Sequence, residues 1–172
     1  MKFSKINKYL AKNIQGFSLI ESLVAISILL LALTGTLTIA SRSIIASANS
    51  RDQITAFFLG SEAVEFVRNT RDNNILVGNS WLDGLDECMS GSCTIDSPNN
   101  AVGNCAGTCQ PLLITEAGVY NQINGEPTIF RREISINEVA SGREVVISVT
   151  TTWKRRLIER TLTTEERLFN WQ

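Results

Sequence analysis

An uncharged apolar segment of 20 residues, from Ser22 to Ser41, lies close to the start of this chain of 172 residues. As a helix it would span roughly 30 Å, the thickness of the hydrocarbon core of a bilayer. Apolar residues occupy every face of such a helix, which suits lipid better than a two-sided helix of a globular domain. The segment therefore predicts one membrane-spanning helix, and the length of the rest predicts one ordinary domain.

The charges that flank this segment predict its orientation. Four lysines and no acidic residue lie in the first 16 residues, whereas only Arg42 follows the segment closely. Because positive charge is retained in the cytosol, we expect a cytosolic N-terminus and an extracytoplasmic domain after residue 41. A secretory signal peptide and an uncleaved signal anchor are alternatives. A signal peptide, however, carries its apolar core before the cleavage site, and the region before Gly16 is lysine-rich.

A short motif precedes the apolar run. Glu21 places a charge where full membrane depth would cost up to about 3 kcal/mol, so it lies either in the interface or beside a partner charge. The residues from Gly16 to Glu21 read GFSLIE, behind a basic leader and ahead of the apolar run. They resemble the prepilin cleavage and methylation motif. Its family comprises type IV major and minor pilins and the pseudopilins of type II secretion and DNA-uptake systems.

The resemblance implies a processing and assembly pathway. A prepilin peptidase and N-methyltransferase would cut between Gly16 and Phe17 and methylate the new amine of Phe17, which keeps its positive charge. In the family, the acid that matches Glu21 pairs with the N-terminal amine of a neighbouring subunit. The implied partners are other pilin subunits, the inner-membrane assembly platform and, before assembly, membrane lipid. The implied product is an extracellular or periplasmic filament.

One departure from the major pilins concerns proline. Major pilins often carry a proline near the middle of the first helix, whereas no proline here precedes Pro98. The run ESLVAISILLLALTG, from Glu21 to Gly35, is more similar to minor pilins, including the type IV pilus modification proteins, or to pseudopilins.

The helix is predicted to continue beyond the membrane, because no proline or turn cluster occurs before Asn73–Asn74, where we expect it to end. An apolar stripe within an arc of about 100° faces a core, and charged residues lie opposite, with Arg68 and Asp72 spaced to pair. Phe58 falls on the charged side, so we expect it to be exposed and able to contact a neighbouring subunit. The stripe consists of Ala56, Leu59, Ala63, Phe66 and Val67, and the opposite side of Glu62, Glu65, Arg68 and Asp72.

A segment rich in Gly, Asn and Ser, from Leu82 to Gln110, predicts an irregular loop that holds all four cysteines. An even number of cysteines outside the cytosol predicts two disulfides, with three possible connectivities among which the pairing of neighbours is slightly favoured. A zinc site made only of cysteines is the alternative. Nearby acids could bind calcium, but their irregular spacing favours a solvated surface. The cysteines are Cys88, Cys93, Cys105 and Cys109, and the acids are Asp83, Asp86, Glu87 and Asp96.

After Pro111 the apolar pattern changes to period two, which predicts short antiparallel strands. The expected fold class is α+β, with a long helix packed on an antiparallel β-meander, as in the pilin fold. Trp81 and Trp153 are expected in the core, with the C-terminal 168–171 tucked against it. The predicted strands are 112–114, 119–120, one through Phe130, Ile134 and Ile136, 145–153 and 157–164, with turns at 116–118, 141–142 and 154–156. The predicted organisation is a leader 1–16, a transmembrane and filament-core helix 17–41, an amphipathic helix 42–73 and a head 74–172 with its cysteine loop 82–110 and sheet 111–172.

Enzymatic function is disfavoured, because the chain contains no histidine and presents no catalytic constellation. No cofactor or metal site is expected. A filament-surface adhesin and a DNA-binding minor pilin are alternative functions, the second suggested by a basic turn. The region from Tyr120 to Gln172, however, carries 8 basic and 7 acidic residues, which is a weak footprint for nucleic acid. The basic turn consists of Lys154, Arg155, Arg156 and Arg160.

Overall fold

The computed structural model describes Gly16 and residues 18–170. The predicted leader, apart from Gly16, and the predicted roles of Phe17 and Trp171 therefore lie outside the described residues. The chain divides into two units, one ending at Ser47 and the other beginning at Ala48. Helix α1 (Leu19–Val77) begins in the first unit and ends in the second.

The first unit carries the predicted membrane segment. Every side chain from Leu23 to Ser47 is exposed, and by length and composition this part of α1 is able to cross a membrane. Its hydroxyl groups donate back to carbonyls one turn earlier, as Thr34 does to Leu30 O at 3.0 Å. Such back-bonding satisfies polar side chains without water, which a helix in lipid requires.

Helix α1 ends later than predicted. It runs past Asn73–Asn74 to Val77, and Gly78 terminates it with a left-handed φ of 80°. The buried amide of Asn74 donates to Asp83 O at 2.9 Å, so this asparagine fastens the following loop to the helix. Its side chain bonds to this loop and not to the neighbouring backbone of a turn, which explains why turn propensity alone misplaced the helix end.

In the described part of the chain, seven antiparallel strands form a single sheet. The predicted meander of long strands, β5 (Glu126–Ala140), β6 (Glu144–Arg155) and β7 (Ile158–Phe169), is confirmed. Two hairpins pair with the other edge of β5. They consist of β1 (Cys93–Asp96) with β2 (Ala101–Asn104), and β3 (Pro111–Ile114) with β4 (Tyr120–Asn121).

Three predictions about the head need correction. The segment 82–110 is not wholly irregular, because it contains α2 (Asp86–Met89), β1 and β2, elements of four residues that are too short to show a period. Lys154 and Arg155 belong to β6, so the next turn consists of Arg156 and Leu157 alone. Strand β7 reaches Phe169, which places Leu168 in a buried strand position instead of a tail.

Within the second unit, α1 packs on one face of the sheet, as predicted. Leu59, Ala63 and Val67 are buried against alternate residues of β5 and β6. A Cβ on Gly60 would lie 3.2 Å from Thr164 Oγ1, so glycine allows the helix to approach β7 closely. Arg68 does not pair with Asp72, because the adjacent strand supplies Glu166, and Arg68 binds this carboxylate and Glu65. The buried strand residues include Phe130, Ile134, Ile136, Val145, Ile147, Val149 and Trp153, and Trp81 is also buried.

Candidate processing, assembly and subunit-contact sites

The predicted cleavage motif straddles the beginning of α1. Gly16 and Ser18 are exposed and precede the first helical residue, Leu19. The carbonyl of Ser18 already accepts the Ser22 N–H at 3.1 Å, so helical hydrogen bonding is present from Ser18 onward. A peptidase needs an extended, accessible chain, and the described residues next to the predicted cut are not helical.

Glu21 lies in the first turn of α1 and is exposed. A carboxylate there complements the positive end of the helix dipole. Among residues 18–170, Glu21 takes part in none of the salt bridges. Its negative charge is therefore accessible at the end of α1 where the predicted mature chain starts.

Phe58 is 65% exposed, as its place on the charged side of the helix predicted. Its ring contacts Phe57 edge-on, with the ring centroids 5.9 Å apart. Together with Ile54 of the same helix and Leu162 of β7, the two phenylalanines line a shallow cavity of about 540 Å³. The apolar exposure is thus a patch, not a single side chain, and a subunit contact through it stays a prediction.

A buried cation, Arg132, ties α1 to the sheet and was missed by the sequence analysis. Its side chain is 2% exposed, and Nη1 donates to Leu59 O at 2.7 Å and to Glu62 Oε2 at 3.1 Å. Nη2 donates to Ile95 O at 2.7 Å. Burial lowers the pKa of Arg132 from its ordinary value, and the charge and hydrogen bond of Glu62 oppose this effect. The alternating pattern of β5 could have revealed this burial, because Arg132 lies between Phe130 and Ile134 on the buried face of the strand.

A second ion pair joins α1 to the β6–β7 hairpin, near the point where the second unit begins. Arg155 Nε donates to Asp52 Oδ2 at 2.5 Å, and Nη2 donates to Oδ1 at 2.8 Å. This hydrogen bonding, together with the charge of the nearby Asp52, raises the pKa of Arg155. A bidentate arginine–carboxylate pair fixes both position and orientation. The end of the hairpin is therefore held beside Asp52.

The four cysteines form two disulfides between sequence neighbours, Cys88–Cys93 and Cys105–Cys109. No free thiol remains, so the zinc alternative loses its ligands. The acids of this segment do not converge on a cation. Asp96 accepts from Asn99 and from the Gln122 N–H, and within the described part of the chain no group of three potential ligands could hold a metal.

Replacing Cys88 and Cys93 together by alanine should lower the free energy of unfolding by about 2 kcal/mol through loop entropy, plus a packing loss. Both cysteines are buried in the larger core cluster. Replacing Cys105 and Cys109 should cost less, because Cys105 is only half-buried. Urea unfolding of the full chain in detergent, followed by tryptophan fluorescence, measures both. Equal losses in the two double variants would contradict the assigned difference in packing.

Comparison with known proteins identifies one family model. Residues 11–37 match the prokaryotic N-terminal methylation motif. The match covers Gly16, Phe17 and Glu21 and most of the apolar segment. No curated protein and no solved structure matches the chain.

Proposed function

We propose that this type IV pilin-like chain is a structural subunit, a minor pilin or pseudopilin, which is processed after Gly16 and assembled into a filament through its N-terminal helix. The observation that carries the proposal is the methylation motif at residues 11–37, because this motif is the site of prepilin peptidase cleavage and methylation. Pilins with this motif assemble with other pilins, and their role is structural, not enzymatic.

Processing changes the charge of the N-terminal region. Cleavage after Gly16 would remove four lysines and no acid, and would create a positively charged amine on Phe17. This amine would precede Glu21 by four residues, ahead of an apolar segment whose side chains are exposed from Leu23 onward. Cleavage thereby removes the lysines that keep the N-terminus in the cytosol. It also supplies the Phe17 ammonium, which Glu21 of another subunit can bind.

Assembly then follows from the chemistry of the apolar environment. A carboxylate at low dielectric gains most from a docked ammonium, and only a subunit in the correct register supplies one. The apolar side chains of α1 that face lipid before assembly would face neighbouring helices afterwards. We infer that before assembly the chain crosses the inner membrane once, with a cytosolic N-terminus and an extracytoplasmic head.

The proposal is tested by the N-terminal mass of the wild-type chain co-expressed with a prepilin peptidase and, in parallel, without it. With the peptidase, we expect a chain that starts at N-methylated Phe17. Without it, the chain should retain Met1 to Gly16. An intact Met1 start in the presence of a peptidase that processes a known prepilin would refute the proposal and leave a signal-anchored domain.

A further inference from the structure

The tip of the β6–β7 hairpin combines positive charge with exposed aliphatic residues. Residues 154–160 read KRRLIER, with four basic residues and one acid. At the apex, Leu157 is 93% exposed and Ile158 is 61% exposed. Arg156 adopts a left-handed φ of 58° and forms a two-residue turn with Leu157, while Ile158 is the first residue of β7 and pairs with Arg155.

This tip is held in place, and its charges differ in their environment. The bidentate pair with Asp52 neutralises Arg155, whereas Lys154, Arg156 and Arg160 form no salt bridge within the described residues. The single acid, Glu159, lies opposite Lys154 in the strand register. The exposed tip therefore keeps net positive charge around an apolar apex.

We propose that in the unassembled subunit this tip binds the anionic phospholipid surface of the bilayer that holds the apolar helix. The inference rests on the proposed function, since it requires a membrane-inserted chain. Cationic side chains bind anionic headgroups, while their stems and the aliphatic apex enter the interfacial layer. Nucleic acid would account for the cations but would leave Leu157 and Ile158 without a partner.

Because the chain attaches the tip to a membrane-spanning segment, a weak affinity for lipid is sufficient to keep the tip on the bilayer surface. Asp52, which holds the tip, follows Ser41 by 11 residues, so the apolar segment keeps the tip at high effective concentration near the bilayer. Each basic side chain close to an anionic surface changes partitioning by about fivefold. The three basic residues outside the pair with Asp52 would together contribute about a hundredfold.

The test uses the full chain in nanodiscs of phosphatidylcholine, with or without phosphatidylglycerol, and an environment-sensitive dye on a Leu157→Cys variant. All native cysteines are in disulfides, so the dye labels the new thiol. Ser141→Cys is the matched control, because it is exposed in the β5–β6 turn at the opposite end of β6. We expect a blue shift and quenching by spin-labelled lipid at 157, dependent on phosphatidylglycerol, and neither at 141.

Charge reversal separates binding from simple proximity. Combining Lys154→Glu, Arg156→Glu and Arg160→Glu should reduce partitioning of the tip onto the lipid surface by more than about a hundredfold, whereas Arg143→Glu, in the opposite turn, should not. Equal signals at 157 and 141, or no dependence on phosphatidylglycerol, would overturn the proposal. A response to duplex DNA in its place would reassign the tip to nucleic acid. If protease digestion showed that the apolar helix had not inserted, the proposed function itself would fail, and the tip proposal with it.

Discussion

Replacing Arg132 by alanine is expected to lower the free energy of unfolding by about 3–5 kcal/mol. Its guanidinium joins three chain segments, through Leu59 O and Glu62 on the helix and Ile95 O on β1. The variant removes these hydrogen bonds and leaves a cavity between the helix and the sheet. It also leaves the Ile95 carbonyl without its side-chain donor.

Three variants separate the causes of this loss. Arg132→Met keeps most of the volume and should cost less than alanine, because it restores packing but not the hydrogen bonds. Glu62→Gln should cost about 1 kcal/mol, because Glu62 is partly exposed and its amide remains solvated. Arg143→Ala, in an exposed turn, should stay within about 0.5 kcal/mol of the wild type.

The measurement is urea unfolding of each full chain in detergent, followed by the fluorescence of the buried Trp81 and Trp153. An Arg132→Ala chain as stable as Arg143→Ala would show that the buried guanidinium contributes no net stability. A methionine variant more stable than the wild type would show that desolvation outweighs the three hydrogen bonds, as in some buried ion pairs.

Much of the fold was predictable because its long elements repeat one pattern over many residues. Helix α1 shows an apolar run and then a stripe from Ala56 to Val67, and β6 alternates from Val145 to Trp153. Each pattern is local, and tertiary packing agrees with it. The elements of 82–110 were missed because β1 is defined by its pairing with β2 and β5, and strands of four residues carry little period of their own.

The candidate sites divide in the same way. The processing motif is contiguous, so a single stretch of sequence was enough to predict Gly16, Phe17 and Glu21 as site residues. The pairs that shape the head join residues far apart in the chain, such as Asp52 with Arg155 and Glu62 with Arg132. Charge alone could not choose these partners, since many arginines and carboxylates in the head satisfy the same rule. Each pair joins α1 to a strand, so only the packing of the helix on the sheet brings its two residues together.

Processing and assembly should respond separately to substitutions at Gly16 and Glu21, if the proposed function holds. Gly16→Ala should leave the precursor uncut, because the peptidase must accommodate this position at the scissile bond, and no chain should then enter filaments. Glu21→Gln should still be cut and methylated, since residue 21 lies outside the scissile bond, but its incorporation should fall by about a hundredfold or more. The reason is that an amide cannot neutralise the ammonium of Phe17 at low dielectric, where an uncompensated charge costs about 3–5 kcal/mol.

The readouts are the N-terminal mass of the membrane-bound chain and the amount recovered in sheared filaments, both in cells that supply the peptidase and the other subunits. Glu65→Gln is the matched control, because it removes an exposed acid from the same helix and should change neither readout. Glu21→Asp should restore part of the incorporation, since it keeps the charge on a shorter side chain. Filaments that contain Glu21→Gln at the wild-type level would contradict this role of the carboxylate. Apolar packing of α1 alone would then set the register between subunits, and Glu21 would only complement the dipole at the start of the helix.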